Sequence, residues 1–219
     1  MRESAIDPAF VLEPTTRTKV RRKAERGRYQ WATLASILDE GVIAHVGFVG
    51  PEGVCVLPMA YARVDDLLYL HGAAGNAMLR LLSGGGEVCV TVTLVDALVL
   101  SRSAFHHSMN YRSVVVVGRP ELVEERGEKE RALRAVVDHN LPGRSDECRG
   151  PNDSELRTTR VIRLAITEAS AKIRTGPPIE EPDDLALPFW GGVVPIVSTR
   201  GAAVADEFVE PGTPAPSST

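Results

Sequence analysis

The most constraining feature of this sequence is a succession of apolar, β-rich segments joined by very short connections. Val42–Val49 and Val54–Ala62 flank a Gly-Pro-Glu-Gly turn at residues 50–53, and Leu67–Leu70 follows after another short turn. Parallel strands need a crossover of about a dozen residues or more, so connections this short predict antiparallel pairing. Residues 42–70 are therefore predicted to form an antiparallel meander.

The rest of the chain continues this pattern with helices between the strands. The side chains of Trp31, Leu34 and Leu38 share one face of a helix predicted over Tyr29–Glu40, which Gly41 ends. Two further helices are predicted, at Asn76–Ser83 and Glu128–Asn140. Further strands are predicted at Val88–Leu94 and Ala97–Phe105, paired as a hairpin around Val95-Asp96, and at Tyr111–Leu122 and Thr158–Ile166. Six or seven strands without a βαβ rhythm predict a mainly β (α+β) fold, an antiparallel barrel with peripheral helices.

Pro58 lies inside the second predicted strand. A proline has no N–H to donate to a ladder, so this stretch is predicted to lie at a sheet edge or a bulge. The free backbone groups of such an edge are able to hydrogen-bond a planar ligand.

Composition excludes several classes of protein. The chain has 219 residues, 43% of them hydrophobic, with 25 Lys and Arg against 29 Asp and Glu. This content supports a real core, and the net charge of −4 argues against a nucleic-acid-binding protein. No apolar run approaches the ~18–20 residues that span a bilayer, and the first residues lack the apolar core of a signal peptide. Three cysteines without a CxxC pair fit a reducing, cytoplasmic location.

The two ends of the chain differ from its middle. Residues 1–28 carry seven Lys and Arg between positions 17 and 28, opposed there only by Glu25, and are predicted to form a basic arm. Such an arm is either a solvated lead-in or a strap that crosses a partner subunit or reaches an anionic ligand. Residues 201–219 are predicted to be a tail whose Pro/Ser/Thr-rich end is disordered.

Common catalytic and cofactor motifs are absent from the sequence. It contains no G-x-G-x-x-G, no G-x-x-x-x-G-K-[ST], no H-E-x-x-H and no G-x-S-x-G. His106 and His107 are adjacent, and neighbouring side chains on a strand point to opposite faces. No metal site is therefore predicted.

Four segments together resemble a known family. They are residues 54–61 (VCVLPMAY), 68–75 (LYLHGAAG), 101–116 (SRSAFHHSMNYRSVVV) and 168–178 (EASAKIRTGPP). Their order resembles the pyridoxamine 5′-phosphate oxidase-like flavin-binding split-barrel family, in particular its nitroimidazole-resistance branch, from about Arg26 to Pro195. The resemblance implies an antiparallel split β-barrel over residues 29–200. It also implies a homodimer with FMN in each of two clefts between the subunits.

The resemblance also implies where FMN lies. The flavin ring is expected along the second strand, and the phosphate at the turn into the short helix. A strand-to-helix junction favours an anion through its free N–H groups, and glycine permits close backbone approach. The implied cofactor-binding residues are Pro58, Met59, Ala60, Tyr61, His71, Gly72, Ala73, Asn76, Ala77, Met78, Arg112 and Trp190.

One departure from the family pattern affects the expected phosphate site. Relatives usually carry a serine and a basic residue at the positions that align with Asn76 and Ala77. The Asn76 amide can still donate a hydrogen bond, whereas the Ala77 side chain offers no polar group. Arg80, Arg112 or the basic arm would have to supply the missing charge.

Each of several of these residues could have either a structural or a functional role. His71 is either a polar group beside flavin or substrate, and the candidate catalytic residue, or a structural histidine bonded to a turn. Arg112 either faces solvent or reaches across the interface to the cofactor. Trp190 either caps the flavin ring from the second subunit or staples the C-terminal loop. Met59 and Tyr61, expected on one strand face, are either core residues or ligand contacts.

The sequence thus predicts a cytoplasmic, homodimeric, FMN-binding protein without nucleic-acid or membrane partners. Its expected activity is a flavin-dependent oxidoreductase step on a small molecule, in which the cofactor carries the chemistry. One alternative is a flavin-binding or sensing protein without turnover. Another is a split barrel that uses a different cofactor, either a deazaflavin or a haem with His71 as a possible axial ligand.

Overall fold

The computed structural model of the protein describes residues 6–216, which contain two antiparallel β-sheets. The larger sheet has the strand order β1-β10-β7-β6-β2-β3, and β11 also pairs with β6. Its strands are β1 (Gly27–Arg28), β2 (Ala44–Gly50), β3 (Gly53–Met59), β6 (Val88–Leu100), β7 (Ser108–Gly118), β10 (Ala169–Arg174) and β11 (Gly192–Pro195). The smaller sheet has the order β4-β5-β9-β8. Its strands are β4 (Tyr61–Val64), β5 (Leu67–Ala73), β8 (Glu121–Leu122) and β9 (Thr159–Ala165).

Helices surround the two sheets. They are α1 (Trp31–Glu40), α2 (Ala77–Ser83), α3 (Arg126–Asn140) and α4 (Asp153–Thr158). The apolar face of α1 buries Leu34, Ile37 and Leu38 in one core with side chains from both sheets, such as Val46 and Leu70. The predicted mainly β fold, antiparallel with peripheral helices, is confirmed.

The predicted second strand, Val54–Ala62, is two strands. The chain leaves the larger sheet after Met59 and enters the smaller sheet at Tyr61, with Ala60 between them. Met59 and Tyr61 therefore do not share a strand face, as the sequence had suggested. The prediction for Pro58 is confirmed, because β3 is the edge strand of the larger sheet.

The predicted hairpin over residues 88–105 is wrong. Residues 88–100 form the single strand β6, whose register against β7 shifts between Val95 and Ala97. The turn-forming residue Asp96 thus lies in a β-bulge, which bends a strand without ending it. The structure differs from the prediction in two other ways. The predicted strand Tyr111–Leu122 is two strands, β7 and β8, and the strands β10 and β11 were not predicted.

The N-terminal segment packs on the barrel of its own chain. Leu12 and Thr18 are buried, the Tyr29 hydroxyl accepts a hydrogen bond from the Val20 N–H (2.8 Å), and β1 pairs with β10. At the other end, residues 201–216 contain no helix or strand. The first five residues of the predicted arm and the last three of the predicted tail lie outside the described residues.

Candidate functional site

A groove of about 580 Å³ lies between the edge strand β3 and the helix α2. Its lining joins the strand expected to carry the flavin ring to the turn expected to carry the phosphate. The lining residues are Phe48, Pro51, Leu57, Asn76, Ala77, Met78, Arg80 and Leu81. The structure thus brings three of the predicted cofactor residues, Asn76, Ala77 and Met78, around one cavity.

The polar groups of this groove come from the start of α2. Asn76 caps the helix, because its Oδ1 accepts a hydrogen bond from the Leu79 N–H (3.0 Å), which leaves its amide Nδ2 as a potential donor. Ala77 contributes no polar group, and Arg80 is the cationic side chain of the groove lining. Position 77 therefore lacks the cation expected from relatives, and the cationic side chain of the groove lies one turn further along the helix.

Gly72 lies beneath the same helix. A Cβ at this position would be 3.0 Å from Leu79 Cδ1 and 3.8 Å from Asn76 Nδ2, and Gly72 has no positive φ. A larger residue here would crowd the Leu79 side chain and so disturb the packing of β5 against α2. Ala73 is the last residue of β5 and opposes Thr159 in the ladder.

His71 has an unusual environment. The residue is half-buried, and its Nδ1 atom is fully buried without a hydrogen-bond partner among the described residues. Burial lowers the pKa of the imidazole, and no charged neighbour opposes that shift. His71 opposes Val161 in the ladder, on the sheet face that also carries Tyr69. Burial thus favours the neutral imidazole, and because Nδ1 is enclosed, an external group would have to bind the other ring nitrogen, Nε2.

Arg112 lies in a different cleft, of about 700 Å³, between β2, β6 and residues 196–200. Its guanidinium contacts two carboxylates: Nη2 donates to Glu40 Oε1 (2.7 Å) and to Asp96 Oδ1 (2.7 Å). Hydrogen bonding by Arg112 lowers the pKa of Glu40. The structure thus separates Arg112 from Asn76 and neutralises its charge within the chain.

Tyr61 is fully buried beside this second cleft. Its hydroxyl lies 2.5 Å from the Leu38 carbonyl oxygen and 2.9 Å from that of Gly41, and its ring centroid is 4.6 Å from that of His139. Burial raises the pKa of the phenol. These contacts fix the end of α1, which gives Tyr61 a role in the core.

The remaining predicted residues lie in three places. Pro58 opposes His45 in the β2–β3 ladder, and Met59 packs against the core. Trp190 is exposed and its ring lies over the start of β11, where a Cβ at Gly192 would be 2.8 Å from the indole. Trp190 is thus positioned on the C-terminal loop, outside the groove lining.

Two further properties concern residues 6–216. In this range no group of three or more His, Cys, Asp or Glu side chains is placed to hold a metal ion. The same range contains no helix with both the length and the apolar character needed to cross a membrane.

Two packed antiparallel sheets with an edge groove define a split barrel, and sequence comparison gives its family. A family model described as pyridoxamine 5′-phosphate oxidase matches residues 30–173. The chain belongs to this family, as its sequence segments had suggested. Among curated proteins, no match was found.

Two solved structures are similar to nearly the whole chain. The flavocytochrome Anf3 from Azotobacter vinelandii is 36% identical, with a TM-score of 0.88 over 94% of this chain and 96% of that one. A FAD- and haem-binding protein from Mycobacterium smegmatis is 34% identical, with a TM-score of 0.84 over 88% of this chain and 95% of that one. A candidate 5-nitroimidazole antibiotic resistance protein from Bacteroides thetaiotaomicron shares the fold at 24% identity, with a TM-score of 0.56 over 66% of this chain and 84% of that one.

Proposed function

We propose that this protein is a flavin- and haem-binding oxidoreductase that acts on a small molecule. The observation that carries the proposal is the agreement between the two relatives that match nearly the whole chain. One is a flavocytochrome and the other a FAD- and haem-binding protein, at 36% and 34% identity. Because both relatives have a flavin and a haem, we expect the same two types of cofactor in this protein.

The groove between β3 and α2 is the proposed flavin site. Phe48, Leu57 and Met78 offer apolar walls, while the amide of Asn76 and the guanidinium of Arg80 offer donors for a phosphate. The family resemblance predicts FMN, whereas the Mycobacterium smegmatis relative binds FAD. We favour FAD, because that relative matches 88% of this chain.

His71 is the proposed axial ligand of the haem. A ligating imidazole must be neutral, and a haem iron is commonly held by histidine. Burial lowers the pKa of His71 and so favours the neutral imidazole, and because Nδ1 is enclosed, the proposed ligand atom is Nε2. Haem ligation by His71, an alternative to flavin in the sequence, is therefore proposed together with the flavin.

The residues of the chain have a supporting part in this function. When bound, a flavin supplies two-electron chemistry and a haem supplies one-electron chemistry. Asn76 and Arg80 hold an anionic group, and Leu57 and Met78 exclude water from one face of the groove. Burial favours the unprotonated form of His71, which is the form that a haem iron would bind.

A homodimer is proposed as the assembly. The outer face of β2 and β3 exposes Val49, Val54 and Val56, and Val54 is 80% exposed. Exposed apolar surface of this kind marks an interaction site, and a symmetric dimer is the commonest way to cover it. Light scattering should give twice the chain mass at micromolar concentration, and a monomer would contradict the proposed assembly.

Cofactor analysis of the purified protein tests the proposed function. Its absorbance spectrum should combine flavin bands with a Soret band, and the flavin released by denaturation should co-elute with FAD. Release of FMN would confirm the flavin and correct its identity. A colourless protein that takes up neither flavin nor haem on reconstitution would refute the proposal.

A further inference from the structure

The C-terminal segment, residues 175–216, leaves its large apolar side chains exposed. No residue of this range is buried, and eleven of the 25 large apolar side chains exposed in residues 6–216 lie between Ile179 and Val209. Its aromatic side chains are Phe189, Trp190 and Phe208, which are 59%, 63% and 83% exposed. The segment therefore adds nothing to the core of its own chain, although it carries the side chains from which a packed surface is built.

Polar contacts nevertheless hold the segment along a defined path. Glu180 accepts a hydrogen bond from Ser101 Oγ (2.8 Å) and pairs with Arg102 Nη1 (3.1 Å). Further along, β11 pairs with β6, and the Ile196 N–H donates to the Asp96 carbonyl (2.9 Å). Because the backbone is anchored as far as residue 196 while the apolar side chains stay exposed, this part of the segment presents them as a fixed surface.

The C-terminal segment is strongly acidic. It carries seven Asp and Glu against one basic residue, Arg200. Glu180 pairs with Arg102, and Glu181 lies 3.5 Å from His106 Nε2. The other five carboxylates form no ion pair within residues 6–216; they belong to Asp183, Asp184, Asp206, Glu207 and Glu210.

The opposite charge lies near the other end of the chain. The basic segment, residues 17–28, has seven Lys and Arg and one Glu. Arg17 pairs with Glu87 and Glu168, and Arg26 Nε lies 3.9 Å from Glu25. Four exposed cations form no ion pair in the described part of the chain; they are Lys19, Arg21, Arg22 and Lys23. The two segments are therefore complementary in charge, but no ion pair between residues 6 and 216 joins them within one chain.

The C-terminal segment also borders the surface proposed above for the dimer. The cleft of about 700 Å³ is lined both by His45 of β2 and by Ile196 and Arg200 of the segment. His45 shares a face of β2 with Val49, because alternate residues of a strand point the same way. The exposed apolar face of β2 and β3 and the C-terminal segment are thus parts of one continuous surface.

We propose that the C-terminal segment of one copy packs on a second copy, with its carboxylates against the partner's basic segment. In a two-fold dimer this contact occurs twice, because each copy offers the same two segments. Burial of the exposed aromatic side chains supplies the attraction, and the complementary charges select the partner. The inference rests on the homodimer of the proposed function and adds the segments that join the two copies.

Charge reversal distinguishes a contact between two copies from a contact within one. Arg21→Glu/Arg22→Glu reverses two exposed charges of the basic segment, and Asp183→Lys/Glu207→Lys reverses two of the C-terminal segment. Each variant with itself brings like charges together at the altered positions in both contacts. A heterodimer of the two variants has one unaltered contact and one in which both sides are reversed, so opposite charges meet again in both.

Sedimentation velocity at low ionic strength measures the dissociation constant of each dimer. Each double variant alone should dimerise about ten-fold or more weakly than wild type, since two reversed charges act in two symmetric contacts. An equimolar mixture of the two variants should dimerise more tightly than either alone. Arg157→Glu and Glu124→Lys reverse one exposed charge of each sign elsewhere and should dimerise as wild type does.

Acrylamide quenching of the wild type is a second measurement that needs no variant. Trp31 is 6% exposed, so the quencher reports on Trp190, which is 63% exposed in the single chain and should be protected in the dimer. A dimer in which Trp190 is quenched as freely as an exposed tryptophan overturns the inference. So does a wild-type dimer that neither double variant weakens, or a pair of weakened variants that mixing does not restore. These results leave the homodimer in place, whereas a monomeric wild type refutes the homodimer and this inference together.

Discussion

The corner between α1 and β2 and the end of β5 use polar side chains in opposite ways. At the α1–β2 corner (Glu40, Gly41, Tyr61, Asp96 and Arg112), the Arg112 guanidinium contacts two carboxylates, and the Tyr61 hydroxyl reaches two main-chain carbonyls. At the end of β5, the buried Nδ1 of His71 has no partner within the described chain. Both regions are polar, but only the first satisfies its own hydrogen-bonding groups.

This difference separates a structural role from a ligand-binding role. Buried polar groups in native proteins nearly always have partners, and an exception needs an explanation. An unsatisfied group costs stability in the empty protein, and such costs are concentrated at functional sites. We therefore assign the α1–β2 corner to stability and propose a cofactor-binding role for His71.

The largest effect is expected at Ala77, where the proposed flavin groove lacks the cation that relatives carry. Arg112 is neutralised at the corner, so Ala77→Arg would place a second cation beside Arg80. A new charge-assisted hydrogen bond to a phosphate, worth about 1.5–3 kcal/mol, should tighten flavin binding about ten-fold or more. Titration of cofactor-depleted protein by flavin fluorescence measures this change.

Ala77→Gln is the uncharged control for that substitution and should bind flavin nearly as the wild type does. The gain in Ala77→Arg should shrink with added salt, because the groove is open to solvent. An unchanged affinity would mean that Arg80 already neutralises the phosphate.

Tyr61→Phe tests whether the α1–β2 corner carries stability. The substitution keeps the ring and leaves the carbonyls of Leu38 and Gly41 without the phenol, so the free energy of unfolding should fall by about 1–3 kcal/mol. Urea denaturation measures the change, and cofactor content should stay at the wild-type level. Unchanged stability would contradict the structural role of this hydroxyl.

The opposite result is expected for His71→Leu in haem-free protein. The substitution replaces an unsatisfied imidazole by an apolar side chain, so stability should be unchanged or rise by about 1 kcal/mol. Urea denaturation of haem-free wild type and variant compares the two. A clear loss of stability would show that His71 has a structural role after all.

The smallest effect is expected for Arg112→Met at neutral pH. The ion pairs are partly exposed, so their loss should cost about 1 kcal/mol or less. The folded-state pKa of Glu40 lies below its ordinary value, so this contribution is present above that value and lost as the pH falls through the lowered pKa. At pH 7 the melting temperature of Arg112→Met should be below that of the wild type, and this difference should vanish in acid. A difference that grows in acid would contradict this assignment.

The sequence predicts where the helices and strands lie better than it predicts which strands pair with one another. The helix α1 follows from apolar residues on one face and the stop at Gly41, and the edge position of β3 follows from Pro58. The hairpin around Asp96 was wrong because this side chain is held by Arg112 in a bulge, a contact that local residues do not reveal. The change of sheet at Ala60 also depends on tertiary packing.

The site shows the same limit. Of the predicted cofactor residues, the consecutive Asn76, Ala77 and Met78 line the groove, and their role in binding stays a prediction. The neutralisation of Arg112 could not be predicted, because Glu40 lies 72 positions away in the chain. The absence of a hydrogen-bond partner at His71 could not be predicted either, because the sequence is equally compatible with a structural and a functional histidine at this position.

The visible spectrum of His71→Leu tests the central claim most directly, beside wild type and His107→Leu, an exposed histidine as control. Proteins purified in parallel from haem-supplemented cells are compared for the Soret band and for flavin absorbance. Wild type and His107→Leu should show both signals, and His71→Leu should retain flavin and lose the Soret band. An unchanged Soret band in His71→Leu would contradict the assignment of this imidazole as the haem ligand.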